Sequence, residues 1–325
     1  MARTISEAIE AYLENVSLAR SANTARTYRN AMTAFRATLA DHGLPTTSSV
    51  ITDLRENAIS WFASDMKAFS PATERLYLTA ITGFYQFLVA ENLADLNLPR
   101  LRLLIRQRSR RPGIRLPQFP RNDIEEILDY ANNVEFAEAS DDRESLRNLR
   151  DRAFLLVLAD TGLRVHEACK LRRGDIDWTE NKAVITGKGN RQAVVRFSKR
   201  SISALRHYLN ARGQLDGSSG RPLTALPLFA RHDRGAGKRV TRITTRTGQN
   251  IISKRVGEAL GDQAVGTITP HSFRHYFVTT VLRGSGGNLK MAQELARHKN
   301  IQVTQRYAHL SNDELDRGYW DIFNE

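Results

Sequence analysis

A stretch rich in proline and arginine, residues 99–120, divides this chain into two parts. It contains four prolines, and the five arginines between residues 106 and 115 repel one another. Such a stretch cannot bury a core, so we interpret it as a connector. The chain's 325 residues are also more than one compact core usually spans. We therefore predict a domain over residues 1–105, a basic linker over 106–120 and a second domain over 121–325.

The first domain is predicted to be helical from two amphipathic patterns. Asn23-Thr24 can cap a helix that stops at the glycine and proline of residues 43–45. Ser70 and Pro71 begin a second helix, because serine is a good cap and proline fits the first turn. The apolar faces, interpreted as core, carry Tyr28, Met32, Phe35 and Leu39 in the first helix and Tyr77, Ile81, Phe84, Tyr85 and Leu88 in the second.

The second domain is predicted to combine helices with one small β-hairpin. The apolar run 154–159 ends at Thr161-Gly162 and indicates a buried helix. Two β-rich segments, 183–186 and 193–197, flank the turn residues 187–190. Further helices are expected near 199–213, 250–261, 271–283, 288–297 and 301–310, with irregular chain over 214–248. The fold class is therefore mainly α with a small β-hairpin sheet (α+β).

The formal net charge of +13 indicates a polyanionic partner, because neutralising phosphates releases condensed counterions. Binding to a membrane surface usually needs a concentrated basic segment, whereas these arginines are spread along the chain. Double-stranded DNA is the expected partner, and the connector is expected to lie along it as a strap. Arginines that are merely solvated would give the same sequence pattern, so this alternative stays open. The candidate phosphate contacts are Arg26, Arg29, Arg106, Arg108, Arg110 and Arg111.

Other features of the composition exclude several classes of protein. The single cysteine, Cys169, rules out an internal disulfide and a cysteine-based metal cluster. No apolar run approaches the length that crosses a bilayer, and the N-terminus lacks the apolar core of a signal peptide. We expect a cytoplasmic protein that is not attached to a membrane.

Two arginines of the second domain are placed to bind a phosphodiester. Arg164 follows Gly162, which lets the backbone turn sharply and aim the side chain. Arg274 comes three residues after His271 on one face of a predicted helix, near its positive end. A guanidinium can bind two phosphate oxygens and match the charge that develops on them during attack. Each arginine alone is weak evidence in a chain with 48 lysines and arginines.

A lysine on a turn and a late tyrosine complete the groups that strand cleavage needs. Lys188 lies between two glycines at the hairpin tip, where it can deliver a proton to a leaving 5′ oxygen. Tyr307 is the candidate nucleophile, since His298 and the arginines can supply the positive charge that a phenol with a pKa of about 10 requires. Taken singly, an exposed loop lysine and a packed helix tyrosine remain the alternatives.

A second histidine follows Arg274 directly. His275 is expected to point elsewhere and to be structural. His271 and His275 have the spacing of a metal-binding pair, but no glutamate lies between them and no carboxylate cluster completes a zinc shell. We therefore expect no metal and no other cofactor.

At these residues the chain resembles a tyrosine recombinase of the phage integrase and Xer class. The N-terminal helices are compatible with the core-binding domain of that family, but they carry no diagnostic motif. The remaining residues, as an ordered set, resemble the family's catalytic domain. The matching segments are 161–167, 187–190, 269–275, 295–298 and 301–309.

The resemblance implies which residues bind the scissile phosphate and which residue protonates the leaving group. Arg164 and Arg274 would bind it, and Lys188 would act as general acid. Glu167 matches a common acidic position that supports these groups. Two departures from the family's pattern concern neighbours of the site. Arg297 stands where the family usually has glycine, and His166 where it often has serine or threonine.

The resemblance also implies covalent chemistry and assembly. His271 would assist proton transfer, His298 would hydrogen-bond a phosphate oxygen, and Tyr307 would form the 3′-phosphotyrosyl bond without metal or ATP. The family works as a tetramer on two DNA sites. The apolar C-terminal segment that contains Tyr319-Trp320 is expected either to dock on its own subunit or to be donated to a neighbour.

Two other functions stay open from the sequence. A type IB topoisomerase shares this chemistry but relaxes DNA as a monomer. A DNA-binding regulator with a decayed active site would keep the basic charge and lose the reaction. The presence of every catalytic residue type favours an enzyme, and the compact catalytic domain with its apolar tail favours recombination.

Overall fold

The structure of the chain is a computed structural model in which two compact units, residues 1–115 and 116–325, can be described separately. The described residues are 3–110, 121–134, 141–186, 192–237, 239–305 and 307. Helices dominate both units, and the second unit adds a small antiparallel sheet. The predicted fold class is confirmed. None of the helices in the described part of the chain combines the length and the apolar character that crossing a bilayer requires.

The first unit is built from helices that begin at well-formed caps. Ser70 caps α4 by accepting a hydrogen bond from the Thr73 amide, with Pro71 in the first turn as predicted. The predicted cap of α2 is wrong by two residues, because Ser21 accepts from the Thr24 amide instead. The helices are α1 Ile5–Ala19, α2 Ala22–Asp41, α3 Ala58–Asp65, α4 Pro71–Ala90 and α5 Leu98–Arg108.

Aromatic side chains from α2, α3 and α4 fill the core of the first unit. Phe35 and Phe62 meet edge to face with ring centroids 5.3 Å apart. The predicted core residues of α2 and α4 are buried, except that Tyr28 and Tyr77 are only partly buried at its margin. The amphipathic patterns therefore identified the core correctly.

Helix α5 corrects the prediction that the chain from residue 99 onward is a connector. Asn97 caps this helix, and Pro99 fits into its first turn. Leu101 is buried, and Leu104 and Ile105 pack against the same core at the i+3 and i+4 positions. Apolar residues at helical spacing therefore outweighed the charge repulsion that had suggested an irregular segment.

The second unit contains the remaining helices and a three-stranded antiparallel sheet in the order β1-β2-β3. Its strands are β1 Ile176–Asp177, β2 Lys182–Thr186 and β3 Gln192–Arg196. The predicted hairpin is β2–β3, paired with Val184 opposite Val194. The short first strand was not predicted. The helices are α6 Arg121–Val134, α7 Asp142–Thr161, α8 Val165–Ala168, α9 Lys199–Ala211, α10 Gly213–Gly217, α11 Thr245–Leu260, α12 Pro270–Gly284, α13 Leu289–Ala296 and α14 Ile301–Gln305.

Helix α7 is the centre of this unit. Its residues 153–159 are apolar and buried on every face, as the sequence predicted. Helix α11 begins at residue 245 rather than 250, because Thr244 caps it by accepting from the Thr247 amide. Helix α12 carries His271 and Arg274 near its start, Arg164 follows the end of α7, and His298 follows the end of α13.

Candidate active site

A glycine turn at the end of α7 directs Arg164 toward the site. Gly162 is left-handed, with φ 58°, and its amide donates to the Leu158 carbonyl. A Cβ atom on this residue would lie 2.4 Å from Cδ1 of Phe277. Glycine is therefore required twice, once by the backbone conformation and once by the close approach of α12.

Glu167 holds Arg164 through two hydrogen bonds. Its carboxylate accepts from the Arg164 backbone amide and from the Arg164 Nη1, each at 2.9 Å. Burial alone would raise the pKa of Glu167, but the Arg164 amide bond and the charges of Arg297 and Arg164 lower it overall. The side chain of Arg164 remains 40% exposed, so its guanidinium can reach a ligand.

Helix α12 presents one arginine and two histidines to the site. Arg274 is buried and donates to the carbonyl oxygens of Gly162 and Ala296, and it thus joins the end of α7 to the end of α13. Burial, followed by the charges of Arg164 and Arg297, lowers the pKa of Arg274 to about 10. Arg274 is still a cation at neutral pH. His271, in the first turn of α12, is exposed.

Arg297 adds a third guanidinium next to the Arg164 turn. Its backbone is left-handed, with φ 59° and ψ 42°, a conformation that costs non-glycine residues energy. Its side chain is 10% exposed and donates to the Gly162 carbonyl at 3.1 Å and to Glu167 Oε2 at 3.4 Å. Arg297 therefore ties the segment that carries His298 to the turn that carries Arg164.

His298 is a neutral side chain at physiological pH. Its Nδ1 and the Thr304 Oγ1 are hydrogen-bonded at 2.9 Å. Burial, and then the positive charges of Arg274, Arg164 and Arg297, lower its pKa to about 4. A neutral imidazole with Nδ1 engaged in this way keeps Nε2 for a different partner.

Tyr307 lies between two imidazole rings. Its ring is packed in an apolar cluster formed by α12 and α13, and it is only 4% exposed. The His298 ring is nearly parallel to it, at 6.5 Å and 13°, and the His275 ring centroid is 5.2 Å away. The Tyr307 hydroxyl is hydrogen-bonded to His275 Nδ1.

Most of the predicted catalytic residues are thus brought together in the second unit. Arg164, Glu167, Arg274, His298 and Tyr307 are linked by the contacts above. His271 stands next to His275, with ring centroids 6.4 Å apart. Lys188 and Arg111 lie outside the described residues.

The predicted phosphate contacts of the first unit differ in their surroundings. Arg26, Arg29, Arg106 and Arg108 are exposed. Arg110, in contrast, directs its Nε to the buried Glu74 at 2.6 Å, so that guanidinium is engaged within its own unit.

The prediction that His275 points away from the site is wrong. Positions 271, 274 and 275 are related as i, i+3 and i+4, so they share one face of α12. The i, i+4 spacing of His271 and His275 is the sequence signal that could have placed His275 on this face, beyond its likeness to a metal-binding pair. Among the residues that the structure describes, no group of histidine, cysteine and acidic side chains could hold a metal ion.

Comparison with protein families matches both units. Residues 118–314 match the model described as "Phage integrase family", and residues 9–92 match "Phage integrase, N-terminal SAM-like domain". "Tyrosine recombinase XerD" of Mycobacterium tuberculosis (strain ATCC 25618 / H37Rv) is 30% identical, with 94% of this chain and 93% of the relative covered. "Tyrosine recombinase XerC" of Listeria monocytogenes serotype 4b (strain F2365) is 29% identical over 92% of this chain and 91% of that one.

Solved structures share this fold. XerH recombinase bound to a palindromic difH substrate, in a post-cleavage complex, has a TM-score of 0.68 at 19% identity, with 93% of this chain and 80% of that chain covered. A dimer of lambda integrase residues 75–356 bound to a COC′ core site has a TM-score of 0.64 at 17% identity, covering 94% and 95%.

Proposed function

Because the chain belongs to the phage integrase family of tyrosine recombinases, we propose that it performs site-specific recombination through a 3′-phosphotyrosine on Tyr307. The observation that carries this proposal is the position of Tyr307. Its hydroxyl is hydrogen-bonded to His275 on α12, one residue after Arg274, and its ring faces that of His298. Arg274 and Arg297 both donate hydrogen bonds to the Gly162 carbonyl, which lies in the turn that leads to Arg164.

Charge is what this arrangement offers to a phosphodiester. Three guanidinium groups, those of Arg164, Arg274 and Arg297, lie in this site, and the buried carboxylate of Glu167 pairs with two of them, Arg164 and Arg297. The excess positive charge suits a phosphate that gains negative charge on its non-bridging oxygens under attack. In the proposed reaction Arg164 and Arg274 hold those oxygens, and each contributes roughly 3–4 kcal/mol to stabilising the transition state.

The remaining groups handle protons and hydrogen bonds. His298 donates from Nε2 to a phosphate oxygen, since its Nδ1 is engaged with Thr304. His271 is exposed at the start of α12 and assists proton transfer on the substrate side. Lys188 protonates the leaving 5′ oxygen in this proposal, which for that residue rests on its sequence position alone.

The energy of the broken bond is retained in the phosphotyrosine ester, so that rejoining requires no metal and no ATP. The partner is double-stranded DNA, with residues 1–105 contacting it and residues 121–325 performing the chemistry. A tetramer on two DNA sites, with exchange of C-terminal segments between neighbours, completes the proposal. The protein then acts in the cytoplasm, associated with DNA.

Covalent capture tests this function. Genomic DNA of the strain that carries the gene is lightly nicked with DNase, so that a strand released next to a nick diffuses away and cannot be rejoined. Protein–DNA adducts that survive denaturation are recovered, and their attachment points are sequenced. We expect adducts at one or a few sequences with the wild-type chain and none with Tyr307→Phe.

The outcomes of the capture experiment separate the alternatives. Adducts at scattered sequences, with relaxation of any supercoiled plasmid, would indicate a topoisomerase-like activity. DNA binding without any adduct would indicate a regulator that has lost catalysis. An adduct that persists in Tyr307→Phe would exclude Tyr307 as the nucleophile.

A further inference from the structure

We propose that His275 is the proton acceptor for Tyr307, an inference that rests on the function proposed above. The family resemblance implies that His271 assists proton transfer, and the sequence alone predicts a structural role for His275. The structure instead joins the hydroxyl of the proposed nucleophile to His275 Nδ1. A base within hydrogen-bond reach of the proton that it removes meets the first, geometric requirement for general base catalysis.

The geometry favours His275 over the two other histidines of the site. His298 faces the Tyr307 ring in a nearly parallel arrangement, and its Nδ1 is already bonded to Thr304 Oγ1. His271 is exposed, one helical turn before His275, with its ring 6.4 Å from the His275 ring. His275 is therefore the histidine that meets the phenol oxygen directly.

The surroundings keep His275 neutral, as a base must be. From α12 itself, His271 and Arg274 face it, and from the segments after α13 so do His298 and Tyr307. Burial, followed by His271 and Arg274, lowers the pKa of His275 below its usual value. The phenol can donate to Nδ1 when the single imidazole proton resides on Nε2.

In the proposed step, two proton transfers accompany one substitution at phosphorus. The Tyr307 O–H bond breaks, and its proton moves to His275 Nδ1. The phenol oxygen bonds to phosphorus as the bond from phosphorus to the 5′ oxygen breaks, and that oxygen takes its proton from Lys188. On rejoining, the 5′-hydroxyl attacks phosphorus and returns its proton to Lys188, while the departing phenolate recovers the proton that His275 holds. One histidine thus acts as base in cleavage and as acid in ligation.

The test compares two leaving groups on one DNA sequence. Synthetic duplexes carry the sequence recovered from the covalent adducts, with either oxygen or sulfur at the bridging 5′ position of the scissile phosphate. A thiolate leaves without a proton, so sulfur removes the need for a general acid but not the need for a base at Tyr307. The rate of adduct formation is measured at saturating protein, and DNA affinity and thermal stability are measured separately.

We expect His275→Ala to lower the rate on the oxygen duplex by on the order of 10²-fold, and by a similar factor on the sulfur duplex. Lys188→Ala should be slow only on the oxygen duplex. Thr280→Ala, an exposed substitution on the same helix, should match the wild type on both. DNA affinity should stay within about twofold for all three variants.

His275→Asn separates a base from a residue that only positions the tyrosine. Its side-chain oxygen can take the place of Nδ1 and accept the hydrogen bond, but it cannot retain a proton. We expect it to be as slow as His275→Ala, and it carries the test if the alanine variant folds poorly. The proposal is overturned if His275→Asn restores the rate, if sulfur rescues His275→Ala, or if His275→Ala reacts as fast as the wild type or faster. If the wild-type chain forms no adduct at all, the proposed function fails and this step fails with it.

Discussion

The guanidinium of Arg297 lies 3.4 Å from the Glu167 carboxylate, and the same carboxylate accepts two hydrogen bonds from Arg164. The buried carboxylate of Glu167 therefore connects the segment that contains Arg297 with the turn that contains Arg164. Arg297 occupies a left-handed backbone position where the family usually has glycine. Its contacts must offset the energetic cost of that conformation, about 1–2 kcal/mol.

Replacing Arg297 by glycine should separate backbone strain from site geometry. Relief of the left-handed conformation offsets the lost contacts, so we expect the stability to change by less than about 1 kcal/mol. The rate of adduct formation should nevertheless fall by roughly tenfold, because Arg164 loses the anchoring of its partner Glu167. Amide exchange over residues 163–168, measured without DNA, should increase, since the Arg164 amide donates to Glu167.

Lys290→Gln is the matched control for the loss of one positive charge, because Lys290 is exposed on the helix that precedes Arg297. It should leave both the exchange and the rate unchanged. If Arg297→Gly exchanges like the wild type over 163–168, the coupling through Glu167 is wrong, whatever the activity.

Gly162→Ala should destabilise the second unit. The new Cβ would meet Phe277 Cδ1 at 2.4 Å, and the residue would have to keep a φ of 58°. Strain and overpacking together should cost about 2–4 kcal/mol of unfolding free energy in urea titrations. Gly213→Ala is the control, since Gly213 is helical and open space surrounds it, and it should be neutral or slightly stabilising.

Features that depend on residues close together in the sequence were predicted, whereas features that depend on distant residues were not. The cap of α4 and the core faces of α2 and α4 follow from residues within a few positions of one another, and they were predicted correctly. Helix α5 was missed because proline and arginine dominated the local signal, while its stability comes from Leu101 packing on a core formed by distant residues.

The site divides in the same way. Arg164 and Glu167 are three residues apart, so their partnership could be predicted from the motif. The contacts of Arg297 with Gly162 and of His275 with Tyr307 span 135 and 32 residues, and only the folded arrangement of helix ends brings them together. Helical spacing could have placed His275 on the face of α12 that carries His271 and Arg274, against the prediction that it points elsewhere, but it could not identify the hydroxyl opposite.

Arg212→Met should destabilise the second unit strongly. Arg212 is fully buried, pairs with Asp216 at 2.8 Å, and donates to the carbonyls of Pro227 and Leu228. Removing it leaves buried acceptors without that donor, which should cost about 3–5 kcal/mol of unfolding free energy. Arg143→Met, on the exposed face of α7, should change the stability by less than about 0.5 kcal/mol in the same urea titrations. Equal effects of the two substitutions would contradict this role for Arg212.

The stability of the second unit should fall as the pH is lowered from 7 to 5. Burial, together with nearby arginines such as Arg150 and Arg212, lowers the pKa of His232 to about 3, from a usual value of 6.5. The unfolded chain therefore binds a proton over this range that the folded chain excludes, and the free energy of unfolding decreases by up to about 2 kcal/mol for this group alone. His298, whose pKa is about 4, acts in the same direction.

His232→Gln should keep a hydrogen bond to Tyr208 and lose this part of the pH dependence. Urea titrations at the two pH values would contradict the assignment if the wild type and His232→Gln lost stability equally.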